Sequence, residues 1–185
     1  MRKKQVGLWL KSRCVSFMCV VLFLLPIVNA VLATNTRFAH NFDDIVSETT
    51  LKVNDNTYSD MQKLKVVFNP GEGPLLITGV NYMYNTTGIS STYNMDFKFV
   101  GDSSWVGYSD TSIPNVSVES WRNFRCLGPV YLIDDDPSVE FLGMHPSDNC
   151  IAISADTPNN GHSYRNTGGG WVQDTNYEYI VELRY

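Results

Sequence analysis

Basic side chains are scarce in this 185-residue chain, and those present crowd its start: Arg2, Lys3, Lys4, Lys11 and Arg13 are five of only 14 lysines and arginines. From residue 34 onward, 9 basic side chains face 19 acidic ones, a formal charge of −10. Nucleic acid and anionic membranes are poor partners for such a surface, because binding them requires clustered Lys and Arg that displace counterions. Cysteine is nearly as rare, and beyond residue 34 only Cys126 and Cys150 remain. Two cysteines alone cannot make a structural zinc site, and no His or Cys lies at ligand spacing from either. There is no sustained helical period and no internal repeat of about 20 to 50 residues, which excludes solenoids and propellers. Catalytic signatures are missing too: there is no Gly-x-Ser-x-Gly elbow, no His-Glu-x-x-His and no P-loop. His145, Ser147 and Asp148, or Asp156, His162 and Ser163, are neighbours in sequence only, whereas triads are assembled from distant positions and defined by geometry. The expectation is a protein that is not an enzyme, with a polysaccharide-active hydrolase or lyase as the remote alternative, since a pair of glycosidase carboxylates leaves no sequence signature.

What the chain does have begins with its first 33 residues. Arg2, Lys3 and Lys4 precede an apolar run, Val15 to Ala33, with small residues at Val28-Asn29-Ala30. This reads as a secretory signal peptide cut after Ala30 or Ala33, leaving residues 34–185 as one extracellular domain. The alternative is an uncleaved signal anchor, since the run is about the 20 residues needed to cross a bilayer. In an oxidising compartment Cys126 and Cys150 are expected to form a disulfide, whose 24-residue loop would stabilise the fold by about 3 kcal/mol. Asn85-Thr86-Thr87 and Asn115-Val116-Ser117 match the N-glycosylation acceptor pattern.

The body of the chain reads as all-β. Short segments rich in β-branched and aromatic residues recur between Gly, Pro, Asn, Asp and Ser clusters. Leu64 to Phe68 ends at the turn signal Asn69-Pro70-Gly71, and Leu75 to Asn85 follows as a long strand. Met95, Phe97 and Phe99 alternate with Asp96 and Lys98, the period of a strand buried on one face. Further strands are expected at 105–108, 115–126, 130–133, 139–144, 150–155 and 177–185. About ten short strands in one domain predict two packed antiparallel sheets, a β-sandwich.

The segment from Ala155-Asp156-Thr157-Pro158 through Gly161-His162-Ser163-Tyr164 and Gly168-Gly169-Gly170-Trp171 to the closing strand resembles the C-terminal part of secreted jelly-roll accessory modules, the group related to carbohydrate-binding and galactose-binding-like domains. Asn41-Phe42-Asp43-Asp44, Lys65 to Phe68 and Leu76 to Val80 are similar to their opening strands. The resemblance implies a jelly-roll topology and a non-catalytic role in binding a glycan or cell-surface polymer. It also implies a structural calcium ion near Asp43, Asp44 and Glu182, consistent with an acidic exported chain.

For sugar binding the candidate residues are Trp105, Tyr108, Trp121, Tyr164 and Trp171, because an aromatic ring offers flat apolar area to a pyranose face. Sandwich cores use the same residue types, and on pattern alone such an aromatic is more often a core residue than a platform. Trp105 and Tyr108, in a polar stretch with Asp102 and Asp110, are the least core-like. A different role, that of a structural or adhesive surface protein acting through protein contacts, requires instead an open apolar sheet edge or face.

Overall fold

The structure, a computed structural model, describes residues 37–40, 42, 44–53, 63–70, 75–88, 90–101, 105–132, 136–143, 150–157 and 160–185. The leader reading, residues 1–33, lies outside them. Among the described residues there is no helix. Thirteen strands run in chain order: β1 (Phe38–Ala39), β2 (Thr49–Val53), β3 (Lys63–Val67), β4 (Leu75–Thr86), β5 (Thr92–Val100), β6 (Trp105–Pro114), β7 (Ser120–Leu132), β8 (Ser138–Phe141), β9 (Ile151–Asp156), β10 (Ser163–Asn166), β11 (Val172–Gln173), β12 (Glu178–Tyr179) and β13 (Val181–Arg184).

They form two antiparallel sheets. One has the order β11-β10-β3-β8-β5-β6. In the other, long β4 pairs β7 along one edge, while its opposite edge pairs β13 and then β9. The inner faces follow from period-2 alternation. Tyr93, Met95, Phe97 and Phe99 of β5, with Leu64 and Val66 of β3, are fully buried against Ile77, Val80, Tyr82, Ile153, Val181 and Leu183 of the other sheet. The all-β sandwich expected from sequence is what forms.

Two expected boundaries differ. The strand expected from Asn115 starts at Ser120, and it runs without a break to Leu132, into the segment expected as a separate strand at 130–133. β7 absorbs the extra length as a bulge, since its register against β4 shifts between Ile77 and Gly79. The bulge brings the backbones so close that a Cβ on Gly79 would lie 2.1 Å from the Phe124 carbonyl oxygen. The closing strand is also divided: β12 pairs β9 and β13 pairs β4, so the last residues wedge between two strands that diverge beyond Tyr84.

The disulfide expectation fails on this register. Cys126 and Cys150 are not bonded to each other. Arg125 pairs Gly79 near one end of β4, whereas Cys150 follows Thr87 beyond its other end, its carbonyl accepting from the Thr87 amide at 2.9 Å. Eight residues of strand separate those points, on the order of 25 Å. A disulfide requires Cα atoms within about 7 Å.

Candidate functional site: the outer face of the six-stranded sheet

The outward residues of β3, β5, β6, β8, β10 and β11 line up in one row across all six strands. Gln173 stands opposite Tyr164, Tyr164 opposite Lys65, Lys65 opposite Glu140, Glu140 opposite Lys98, and Lys98 opposite Gly107. At each end an indole leans over the row. Trp171 lies over the Lys65 ammonium, 4.9 Å from ring centroid to Nζ, and Trp105 over the Lys98 ammonium at 4.6 Å. Tyr164 faces the same Lys65 Nζ at 4.8 Å. The sequence aromatic–lysine–glutamate–lysine–aromatic is thus laid across the sheet with Glu140 at its centre. The two lysines are two strands apart, roughly 10 Å.

Local structure sets the ends. Asn166 follows Tyr164 on β10, and its side-chain oxygen accepts from the amides of Gly168 and Gly170 at 2.8 and 3.3 Å. Those glycines have φ of 109° and 107°, a region that disfavours other residues, and the turn they make delivers Trp171 back toward β3. At the opposite end Gly107 carries no side chain, which leaves the space beside Lys98 to the Trp105 ring; a Cβ there would already touch that ring at 3.6 Å. Trp105 is 63 % exposed, while Tyr164 and Trp171 are half-buried. Partial burial pulls the Lys65 ammonium below its ordinary range, opposed by the charge of Glu140. Asp96 accepts from Ser109 on the next row, so hydroxyl, amide, carboxylate and ammonium groups all surround the rings. Such a face is suited to stacking flat apolar surface while exchanging hydrogen bonds with hydroxyls.

Of the five aromatics expected from sequence, the structure brings Trp105, Tyr164 and Trp171 together on this face. Tyr108 points the other way, between the sheets, against Phe99 and Phe124 with ring centroids 5.7 and 5.8 Å apart. Its hydroxyl donates to the Gly128 carbonyl at 3.1 Å, and burial followed by the nearby Cys126 thiol pushes its pKa above the usual tyrosine value. Trp121 lies on the outer side of the other sheet, opposite Met83, with its ring 6.4 Å from Phe42, which stacks on His40. Lys65, Lys98, Glu140 and Gly107 were not singled out by sequence reasoning; the only signal was the polar half of the β5 alternation.

The calcium expectation finds no assembled site. Asp43 lies outside the described residues, the exposed Asp44 carboxylate accepts from the Val46 amide at 2.7 Å, and Glu182 accepts from Asn81 Nδ2 at 2.9 Å. Among the described residues no three His, Cys, Asp or Glu side chains converge as metal ligands. Of the glycosylation candidates, Asn115 is exposed in the turn after β6, with its side-chain oxygen accepting from Thr86, whereas Asn85 is half-buried within β4 opposite Ala152. Ser163 is fully buried, donating to Glu178 at 2.6 Å and accepting from the Tyr179 amide, a structural role. His145, Ser147 and Asp148 lie outside the described residues.

No family model, no curated protein and no solved structure matches this chain. What the fold and the site define is a class: an all-β sandwich of two antiparallel sheets with an aromatic and charged outer face.

Proposed function

We propose that this protein is a secreted, non-catalytic module of jelly-roll type that lays an extended glycan or cell-surface polymer across the outer face of its six-stranded sheet. The observation that carries the reading is the row bounded by Trp171 and Trp105. Two indoles at the two ends of one row across the sheet suit a long ribbon-like ligand rather than a compact one, because each ring can stack one sugar while Lys65, Glu140 and Lys98 meet the hydroxyls between. The lysine spacing is comparable to a disaccharide unit of an extended chain. Export through residues 1–33 would place the domain where such polymers occur.

A second reading, adhesion through protein contacts, draws on the outer edges of β6 and β7, which among the described residues pair on one side only. A glycan array probed with calcium and again with chelator separates these. Retention of extended polysaccharides supports the module, with chelator sensitivity assigning calcium a part in it. Absence of binding under both conditions overturns the glycan reading in favour of a protein partner.

A further inference from the structure

On the side of the sandwich opposite β11, no strand among the described residues covers the outer edges. There β6 ends one sheet and β7 ends the other, and two bridges join them across the gap. The Tyr108 hydroxyl donates to the Gly128 carbonyl at 3.1 Å, and Arg122 of β7 donates to both oxygens of Asp110 of β6, Nε to Oδ2 and Nη2 to Oδ1, each at 2.7 Å. Between the bridges lies a cleft of about 340 Å³. Its apolar wall is half-buried Phe124, fixed edge-on against Phe97 at 4.6 Å and against Tyr108. Its rim carries Ser109, Asn123 and Arg125. Beside Arg122, which it faces across the β4–β7 ladder, Tyr82 is fully buried behind the cleft wall.

We propose that this cleft is a second binding site, separate from the flat face, that takes a single pyranose ring. The volume is at the small end of the range for small-molecule sites, about 300 to 1,000 Å³, which fits one ring and not an extended chain. The chemistry is complementary to a sugar on two sides. Phe124 offers an aromatic surface to the C–H face. Beside it on the same face of β7, Arg122 retains N–H donors, and Asp110 retains acceptor lone pairs after its bonds from Arg122 and from the Ser112 amide at 3.4 Å, so adjacent hydroxyls can each give and receive. A neutral sugar suits the pair better than an anion or a cation, since Asp110 and Arg122 already neutralise one another. The proposal shares the sugar chemistry of the outer face and, apart from Ser109 at the boundary between them, none of its residues.

The test is titration of ¹⁵N-labelled protein with methyl β-D-glucopyranoside, methyl β-D-galactopyranoside and methyl α-D-mannopyranoside, up to about 20 mM, which reaches the weak millimolar end of binding. At least one glycoside is expected to shift the amides of Ser109, Asp110, Asn123 and Arg125 saturably and to give nuclear Overhauser contacts between its ring protons and Phe124. Phe124→Leu, which keeps the apolar bulk and removes the flat ring, should weaken binding roughly three- to tenfold. Trp105→Ala with Trp171→Ala should leave the cleft shifts intact even as polymer binding is lost. Saturable shifts at the cleft by none of the three glycosides, or shifts without contacts to Phe124, overturn the proposal while leaving the flat face untouched.

Discussion

Arg122 holds Asp110 with two N–H donors at 2.7 Å each, and the pair ties the free edge of one sheet to the free edge of the other. Asp110 is 4 % exposed and Arg122 25 %. Removing either partner strands a largely buried charge, so Asp110→Ala and Arg122→Ala should each destabilise the fold by about 3 kcal/mol. The double variant should cost clearly less than the two singles together. Denaturant midpoints across the four proteins measure this, and additive losses would show that the two groups do not act as a pair.

Gly79 sits where β7 bulges against β4, and the nearest neighbour of a Cβ there is backbone, which cannot swing aside. Gly79→Ala should therefore destabilise by about 3 kcal/mol or more, or prevent folding, whereas Gly169→Ala, with nothing within 4 Å of its Cβ, should be nearly silent. Thermal unfolding of the two variants separates a close-approach glycine from a tolerant one.

Glu178 is fully buried on β12, and burial raises its carboxyl above the usual glutamate range despite hydrogen bonds from the Ser163 hydroxyl and the Asn160 amide. The folded protein thus holds this proton more tightly than the unfolded chain. Its contribution is most favourable below the ordinary value of about 4.3 and is lost as pH rises through the folded value. Glu178→Gln removes that slope, so the stability of wild type relative to the variant should fall as pH climbs from about 4 toward neutrality. A difference that stays flat, or rises, would contradict the assignment.

With the two cysteines near opposite ends of β4, the fold owes nothing to a cross-link between them. Adding reductant should leave the melting temperature unchanged, and Cys126→Ser should cost less than about 1 kcal/mol, against the 2–5 kcal/mol typical of losing a native disulfide. Recovery of a peptide containing Cys126 bonded to Cys150 after non-reducing digestion would refute the register described above.

The fold was largely legible because alternation is a local property. Met95, Phe97 and Phe99 announced the buried face of β5, and all three are buried. The site was legible only in part. Trp105 and Tyr108 are three residues apart on one strand, so the period of two sends them to opposite faces, a consequence available from sequence but masked by their shared aromatic character. Trp105 and Trp171 are joined by no local pattern; only the order β11-β10-β3-β8-β5-β6 sets them on one surface. Lys65, Glu140 and Lys98 come from three strands, and nothing in any single strand marks them as neighbours. Non-local register assembled the row in one sheet and dispersed the cysteines in the other.

The most direct measurement is retention on an insoluble extended polysaccharide identified from the array, comparing the wild-type protein with the Trp105→Ala, Trp171→Ala double variant. Trp105 is mostly exposed and Trp171 is on a glycine-rich turn, so the variant should keep its melting temperature within a few degrees. A stacked ring contributes about 0.5–1.5 kcal/mol beyond its buried area, so loss of both should weaken retention by roughly tenfold or more while the fold persists. Retention equal to wild type by a folded double variant would contradict the claim that the outer face of the six-stranded sheet is the binding surface.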